Sequence, residues 1–245
     1  MRCKLCDCKT QLVKKSHIIP KFMYSGMYDE KGRISQLNLN NPNREIFIQS
    51  GIWEKNILCF KCENEFLSRL EGYAKVILYG GDYKWGDLPS YNHLHKNLTI
   101  ANGIDYTRMK LFFLSILWRV HISDRKEFSK VDLRERGIVL KKMLRGNDPG
   151  REQEFKVIPL LYKVDSIPIK SMIPPKHIPL GEHEYVLVHI NTLSIFFKIS
   201  HSVDNDHFSS FGLFENGSMR VIIGDDHPKV IELFQKTTGV NFTLE

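Results

Sequence analysis

Two Cys-x-x-Cys pairs, Cys3/Cys6 and Cys59/Cys62, constrain this chain more than any other feature in it. A tight spacing lets two sulfurs reach one ion from a single turn, and two such knuckles complete a tetrahedron around zinc. The chain between them must then return to its own start. In a thin unit of about 80 residues, such an ion supplies folding energy directly. The plain alternative is two unrelated pairs of buried free thiols. All five cysteines fall within the first 62 residues, and only Cys8 is left over. It is expected to be a free thiol, with substitution as a zinc ligand the other option.

At 245 residues, 42% hydrophobic and 26% charged, the chain is long enough for one large domain or two modest ones. No apolar stretch approaches the roughly 20 residues needed to cross a bilayer. The longest, Met109 to Val120, is interrupted by Lys110, Ser115 and Arg119. The opening Met-Arg-Cys-Lys-Leu-Cys has no apolar leader. These features predict a cytoplasmic protein without a membrane anchor, where reduced thiols favour metal over disulfide. The net charge is +7 with a pI near 9.1. Between Arg2 and Lys21 six basic residues (Arg2, Lys4, Lys9, Lys14, Lys15, Lys21) face one acid, Asp7. That balance favours a polyanionic partner beside the cysteine unit, although a solvated basic face would read the same.

The expected fold class is α+β: a small zinc-stabilised module over residues 1–80, a linker or covering loop over 81–97, and a larger α+β domain over 98–245. A short strand from Leu12-Val13 leads into a Ser16-His17-Ile18-Ile19-Pro20 run, and Pro20 permits a helical turn through Tyr24. Asp29 to Gly32 reads as a turn. Arg33 to Leu39 and Glu45 to Gln49 read as strands around an Asn-rich loop, Asn38 to Arg44. The second Cys pair opens a helix whose apolar face is Phe66, Leu70, Tyr73, Ala74 and Ile77, ended by Gly80-Gly81. Further on, helices are expected over Tyr106 to His121 and Arg125 to Leu144, the second weakened by Gly137. Strands are expected over Phe155 to Val164, Glu184 to Ser200, Phe208 to Glu215 and Met219 to Ile223, with Asn216-Gly217 a turn. Asp226 and Pro228 would start a last helix with Val230, Ile231 and Phe234 inward.

The ordered combination Cys3-x-x-Cys6, Ser16-His17-Ile18-Ile19-Pro20 and Asn56-Ile57-Leu58-Cys59-x-x-Cys62-Glu63 resembles the zinc-bearing HNH endonucleases of the ββα-metal class. The resemblance covers residues 1 to about 78. It implies a treble-clef-like module in which Cys3, Cys6, Cys59 and Cys62 hold a structural Zn2+. It implies His17 as general base, since an imidazole titrates near neutrality and can take a proton from water. Asn56 would support the active-site loop. Glu63, where the family commonly has His, and Asn64 would bind one catalytic Mg2+ or Mn2+, glutamate being a hard oxygen ligand. Ser16 departs from the pattern, because the family often carries an Asp there. Lys14, Lys15 and Lys21 would contact phosphates without reading sequence. Each residue has a simpler role open to it: His17 beside a knuckle, Asn56 in a turn, Glu63 at a helix start.

Other clusters carry less. His93 and His95 alternate without a matching ligand pair. Asp204, Asp206 and His207 read as a polar turn, and Asp225-Asp226-His227 as a helix cap. The expected function is phosphodiester hydrolysis of DNA, and the resemblance implies a place in restriction, mobile elements or antiviral defence. A non-catalytic zinc module binding nucleic acid or protein, and an RNA-cleaving toxin, remain as alternatives. Residues 98–245 are left to target choice, a protein partner or self-association.

Overall fold

The computed structural model describes residues 1–36, 46–49, 51–82, 84–87, 89–95, 97–164, 167–168, 171–200 and 207–224. Within them the protein is mixed α/β, mostly sheet with few helices. The Asn38 to Arg44 loop, the Asp204/Asp206 turn and the helix expected from Asp226 lie outside the described residues.

The cysteine unit begins with β1 (Ser16–His17) and a 3-10 turn at Lys21–Tyr24. Then come β2 (Arg33–Gln36), β3 (Ile46–Gln49) and β4 (Trp53–Glu54). β2 and β3 pair antiparallel. β1 pairs antiparallel with β4, Ser16 opposite Glu54 and His17 opposite Trp53. Backbone bonds extend this pairing on both sides: Ile18 donates to Ile52 (3.0 Å), Asn56 to Val13 (3.2 Å) and Val13 to Leu58 (2.9 Å). The helix after the second Cys pair opens with a π-helical stretch, Lys61–Leu67, and continues as α1 (Ser68–Tyr79). The expected apolar face is there, with Leu70, Tyr73, Ala74 and Ile77 buried and Phe66 packed beside them.

A nine-stranded sheet forms the rest, in the order β5-β6-β13-β7-β11-β10-β9. Its strands are β5 (Ser90–His95), β6 (Leu98–Asn102), β7 (Val157–Val164), β8 (Ile167–Pro168) and β9 (Ser171–Leu180). They continue with β10 (His183–Asn191), β11 (Leu193–Lys198), β12 (Gly212–Leu213) and β13 (Met219–Gly224). β12 pairs with β13 and β8 with β7, off the main path. All pairings are antiparallel except β13 with β7. Among the described residues, three α-helices accompany the two regions: α1, α2 (Tyr106–Ile122) and α3 (Glu135–Gly146). Every residue of α2 from Met109 to Val120 is buried. One hydrophobic cluster runs from Cys3 through α1 and α2 to Val221. Asn191 Nδ2 donates to the Ser25 carbonyl (2.8 Å), fastening the sheet to the turn after β1.

Five sequence expectations need correction. The 81–97 loop contains β5, an edge strand whose Tyr91 and Leu94 are exposed; a strand without a covered face shows no apolar alternation. Glu184 to Ser200 is a hairpin and not one strand, because Ile190 and Leu193 pair across Asn191, which takes the positive φ (60°) that asparagine tolerates. The Arg125 to Leu144 helix is broken into a 3-10 turn, Lys126–Phe128, and α3. There Phe128, Val131 and Leu133 bury at a spacing no helix provides, and Arg134 has φ 49°. Gly137 is not a weak point but a contact: His121 of α2 occupies the place a Cβ would take. Phe208 to Glu215 forms a 3-10 turn (His207–Ser210) and the short β12, since Gly212 (φ 106°) lies against the Val157 carbonyl.

Candidate metal centre and the strand–helix site beside it

The first knuckle is a turn in which the Asp7 amide donates to the Cys3 carbonyl (3.0 Å) and Cys3 donates to Cys8 (3.1 Å). Asp7 takes φ 63° there and bonds outward to Lys141 (2.6 Å) and Arg145 (2.8 Å) of α3. The hydrogen bond from Lys141 holds its carboxyl below the usual range. The second knuckle is brought alongside by bonds already described, plus Lys4 donating to Ile57 (2.9 Å).

The sulfurs of Cys3, Cys6, Cys59 and Cys62 lie within 4.8 Å of one another. Zinc–sulfur bonds of about 2.3 Å give a tetrahedral edge of ~3.8 Å. The Cys6 and Cys59 sulfurs are 3.7 Å apart. The Cys59 amide donates to Cys3 Sγ (3.4 Å), as an amide does to a thiolate. Burial pushes the Cys3 and Cys62 thiols up, with neighbouring thiols adding to the effect at Cys62. At Cys6 burial acts the same way but is outweighed by hydrogen bonds, first that of the Cys8 backbone, bringing it down to about 7. Four crowded sulfurs in this setting suit a divalent cation. An all-sulfur, largely buried set is the donor chemistry of a closed structural zinc site. Cys8 is outside the cluster, exposed, with Sγ against the Cys6 carbonyl.

Beside this cluster β1 and the start of the helix meet. The Ser16 hydroxyl donates to Glu63 Oε2. The His17 backbone N–H also hydrogen-bonds the Glu63 carboxylate. Burial raises the Glu63 pKa, and the Ser16 bond offsets part of that rise. His17 is half-buried with Nε2 shielded from solvent, and its carbonyl accepts from Arg119 Nη1 (2.8 Å). Glu63 and Asn64 both sit in the π-helical stretch, where the wider winding spaces side chains differently from an α-helix. Asn64 is exposed. Asn56 is exposed too, at φ 60° in the turn leading from β4 to the second knuckle. Among the described residues no hydrogen bond joins either asparagine side chain to His17 or Glu63. The structure thus gathers Ser16, His17 and Glu63 and leaves Asn56 and Asn64 at the margin. Lys14, Lys15 and Lys21 are exposed, Lys15 Nζ lying 5.0 Å from the centre of the Trp53 ring.

Arg119 is the residue that sequence reasoning passed over. It is fully buried in α2 and donates to Glu71 (2.8 Å), to the His17 carbonyl and to Ser115 O (3.2 Å) and Oγ (3.1 Å). Its signal was a cation within the largely apolar run from Met109 to Val120, where a buried charge requires partners. Among the described residues no helix is long and apolar enough to cross a membrane. No family model matches the chain, and no curated protein or solved structure matches it either.

Proposed function

We propose that this protein is a metal-dependent endonuclease that hydrolyses phosphodiester bonds of DNA. One observation carries the reading: Ser16-His17 on β1 and Glu63 on the following helix are joined by hydrogen bonds, next to a four-cysteine cluster. In the family the sequence resembles, those strand and helix positions often hold an Asp and a His. Here they hold Ser16 and Glu63, so one carboxylate is kept and has moved from the strand to the helix. Glu63, with Asn64 beside it, would ligate Mg2+ or Mn2+. A cation bound there would neutralise charge on the phosphate and on the leaving 3′ oxygen. His17 would take the proton from water through Nδ1, or through Nε2 after the ring rotates out of its shield. Lys14, Lys15 and Lys21 would position the backbone of the substrate.

The zinc-loaded protein is expected to cut plasmid, linear or single-stranded DNA when Mg2+ or Mn2+ is added. His17→Ala is expected to lower the rate by ~100-fold or more, and Glu63→Gln to abolish metal-stimulated cleavage. Undiminished cleavage by His17→Ala removes the base from the mechanism, and cleavage of RNA alone moves the substrate class. A second reading is favoured by the same contacts. Glu63 already accepts from Ser16 and His17, and Arg119 clamps the His17 carbonyl, as in a non-catalytic zinc module where these bonds only fasten strand to helix. Metal analysis giving zinc alone, with DNA bound but never cut, selects that reading.

A further inference from the structure

We infer that a pocket between α1, the start of α2 and the end of α3 binds a nucleotide, meaning a phosphate joined through a sugar to a flat aromatic base. The inference is independent of the nuclease reading, since it requires neither a catalytic cation nor a reaction. The cavity is about 700 Å³, a size that suits a small organic anion. Among the described residues, three guanidiniums line it, Arg69, Arg108 and Arg145, and Asp105 is the one acid that does so. Planar forks of this kind match phosphate oxygens two at a time.

The guanidiniums are held and still have donors to offer. Arg108 Nη1 pairs with Asp105 (3.0 Å) while its fork lies 5.9 Å from the centre of the Tyr73 ring. Arg145 Nη1 pairs with Asp7 (2.8 Å), an acid already shared with Lys141. Arg69 donates through Nε to the Glu65 carbonyl (2.9 Å), and among the described residues none takes its two Nη groups, which can turn to a ligand. Two aromatic residues, Phe66 and Trp85, line the same cavity. Trp85 is set edge-on against Tyr73 (5.4 Å between centroids, 83° between planes), which fixes its ring. Fixed rings beside guanidinium forks are the chemistry that holds a base and its phosphate together.

Gly72 makes the pocket more than a chance hollow. It lies inside α1, where glycine weakens a helix relative to alanine. Nothing lies within 4 Å of the place its Cβ would occupy, so close packing does not require it. It lines the cavity, where any larger side chain would project into the space.

The test uses the zinc-loaded full chain at low salt with no other divalent cation. Calorimetric titrations would compare AMP, GMP, CMP and UMP with their nucleosides, with inorganic phosphate and with a 5′-phosphorylated single-stranded tetranucleotide. At least one monophosphate or the tetranucleotide should bind tenfold or more tightly than both the nucleosides and phosphate. Gly72→Leu should weaken that binding at least tenfold with zinc content and melting temperature kept or raised, and Arg69→Gln should weaken it as well. A preference for a monophosphate identifies a free nucleotide as the source, and a preference for the tetranucleotide identifies a strand. Absence of binding, phosphate binding as tightly as any nucleotide, or full affinity in Gly72→Leu overturns the assignment.

Discussion

The cysteine unit and the nine-stranded sheet reach the same end by opposite means. In the first, β1 and β4 are two residues each, and the order comes from knuckles, turns and buried sulfurs. In the second, β10 and β11 are almost wholly buried and flank one another in register over six residue pairs, with α2 supplying apolar bulk. The first region offers a site that could hold an ion, and the second rests on area removed from water. The difference teaches where each is vulnerable: one to chelation, the other to charging its interior. Because a single apolar cluster runs through both, damage to either should reach the other.

The largest expected effect is on the ion. Removing zinc with a strong chelator, or making Cys59→Ala, should release one equivalent of zinc and open residues 1–80 to protease. Structural zinc sites contribute on the order of 10 kcal/mol in small domains. If the chelated protein melts unchanged, the contrast between the regions fails. Next is the charge that spans them. Arg119→Ala should cost about 3–5 kcal/mol, since it leaves Glu71 and the His17 carbonyl without their buried cation. Denaturant unfolding measures this, and a loss under 1 kcal/mol would mean that this buried cation does not join the two regions.

The smallest is a pH effect confined to the sheet. His189 is fully buried and bonds Ser194 (2.8 Å), and burial lowers its pKa to about 3. Between about 6.5 and 3 the unfolded chain binds a proton there that the folded chain refuses, so stability falls as pH drops through that window. The loss amounts to a few kcal/mol at most. His189→Asn, whose amide can replace the ring nitrogen toward Ser194, should flatten the pH dependence when unfolding is compared at pH 7 and pH 4. An unchanged slope would place the acid sensitivity elsewhere.

What the sequence disclosed follows the same division. The knuckles were legible because metal chemistry demands a spacing, and the helix after Cys62 because its apolar face repeats. The cluster of four sulfurs agrees with that reading, while a nuclease activity rests on His17 and Glu63 and awaits its assay. The sheet was harder to read. β9 escaped notice because Pro174, Pro175 and Pro179 argue against a strand, yet it lies at the sheet edge, where a missing N–H is tolerated. Its ladder with β10 slips between Leu187 and His189, opposite the paired prolines. β10 and β11 ran together in the sequence because strands buried on both faces lose their alternation. Arg119 was visible as an oddity, but its partners come from residues far away along the chain.

The π-helical stretch at Lys61–Leu67 has a geometric consequence for all that follows it. A turn that takes in one extra residue delays the winding by ~100°. Cys62 can therefore aim its sulfur back toward the first knuckle while Leu70, Tyr73, Ala74 and Ile77, a few residues later, aim inward. One rod serves two masters, a cluster of sulfurs at its head and an oily interior along its shaft, and the lag between them lets it face both.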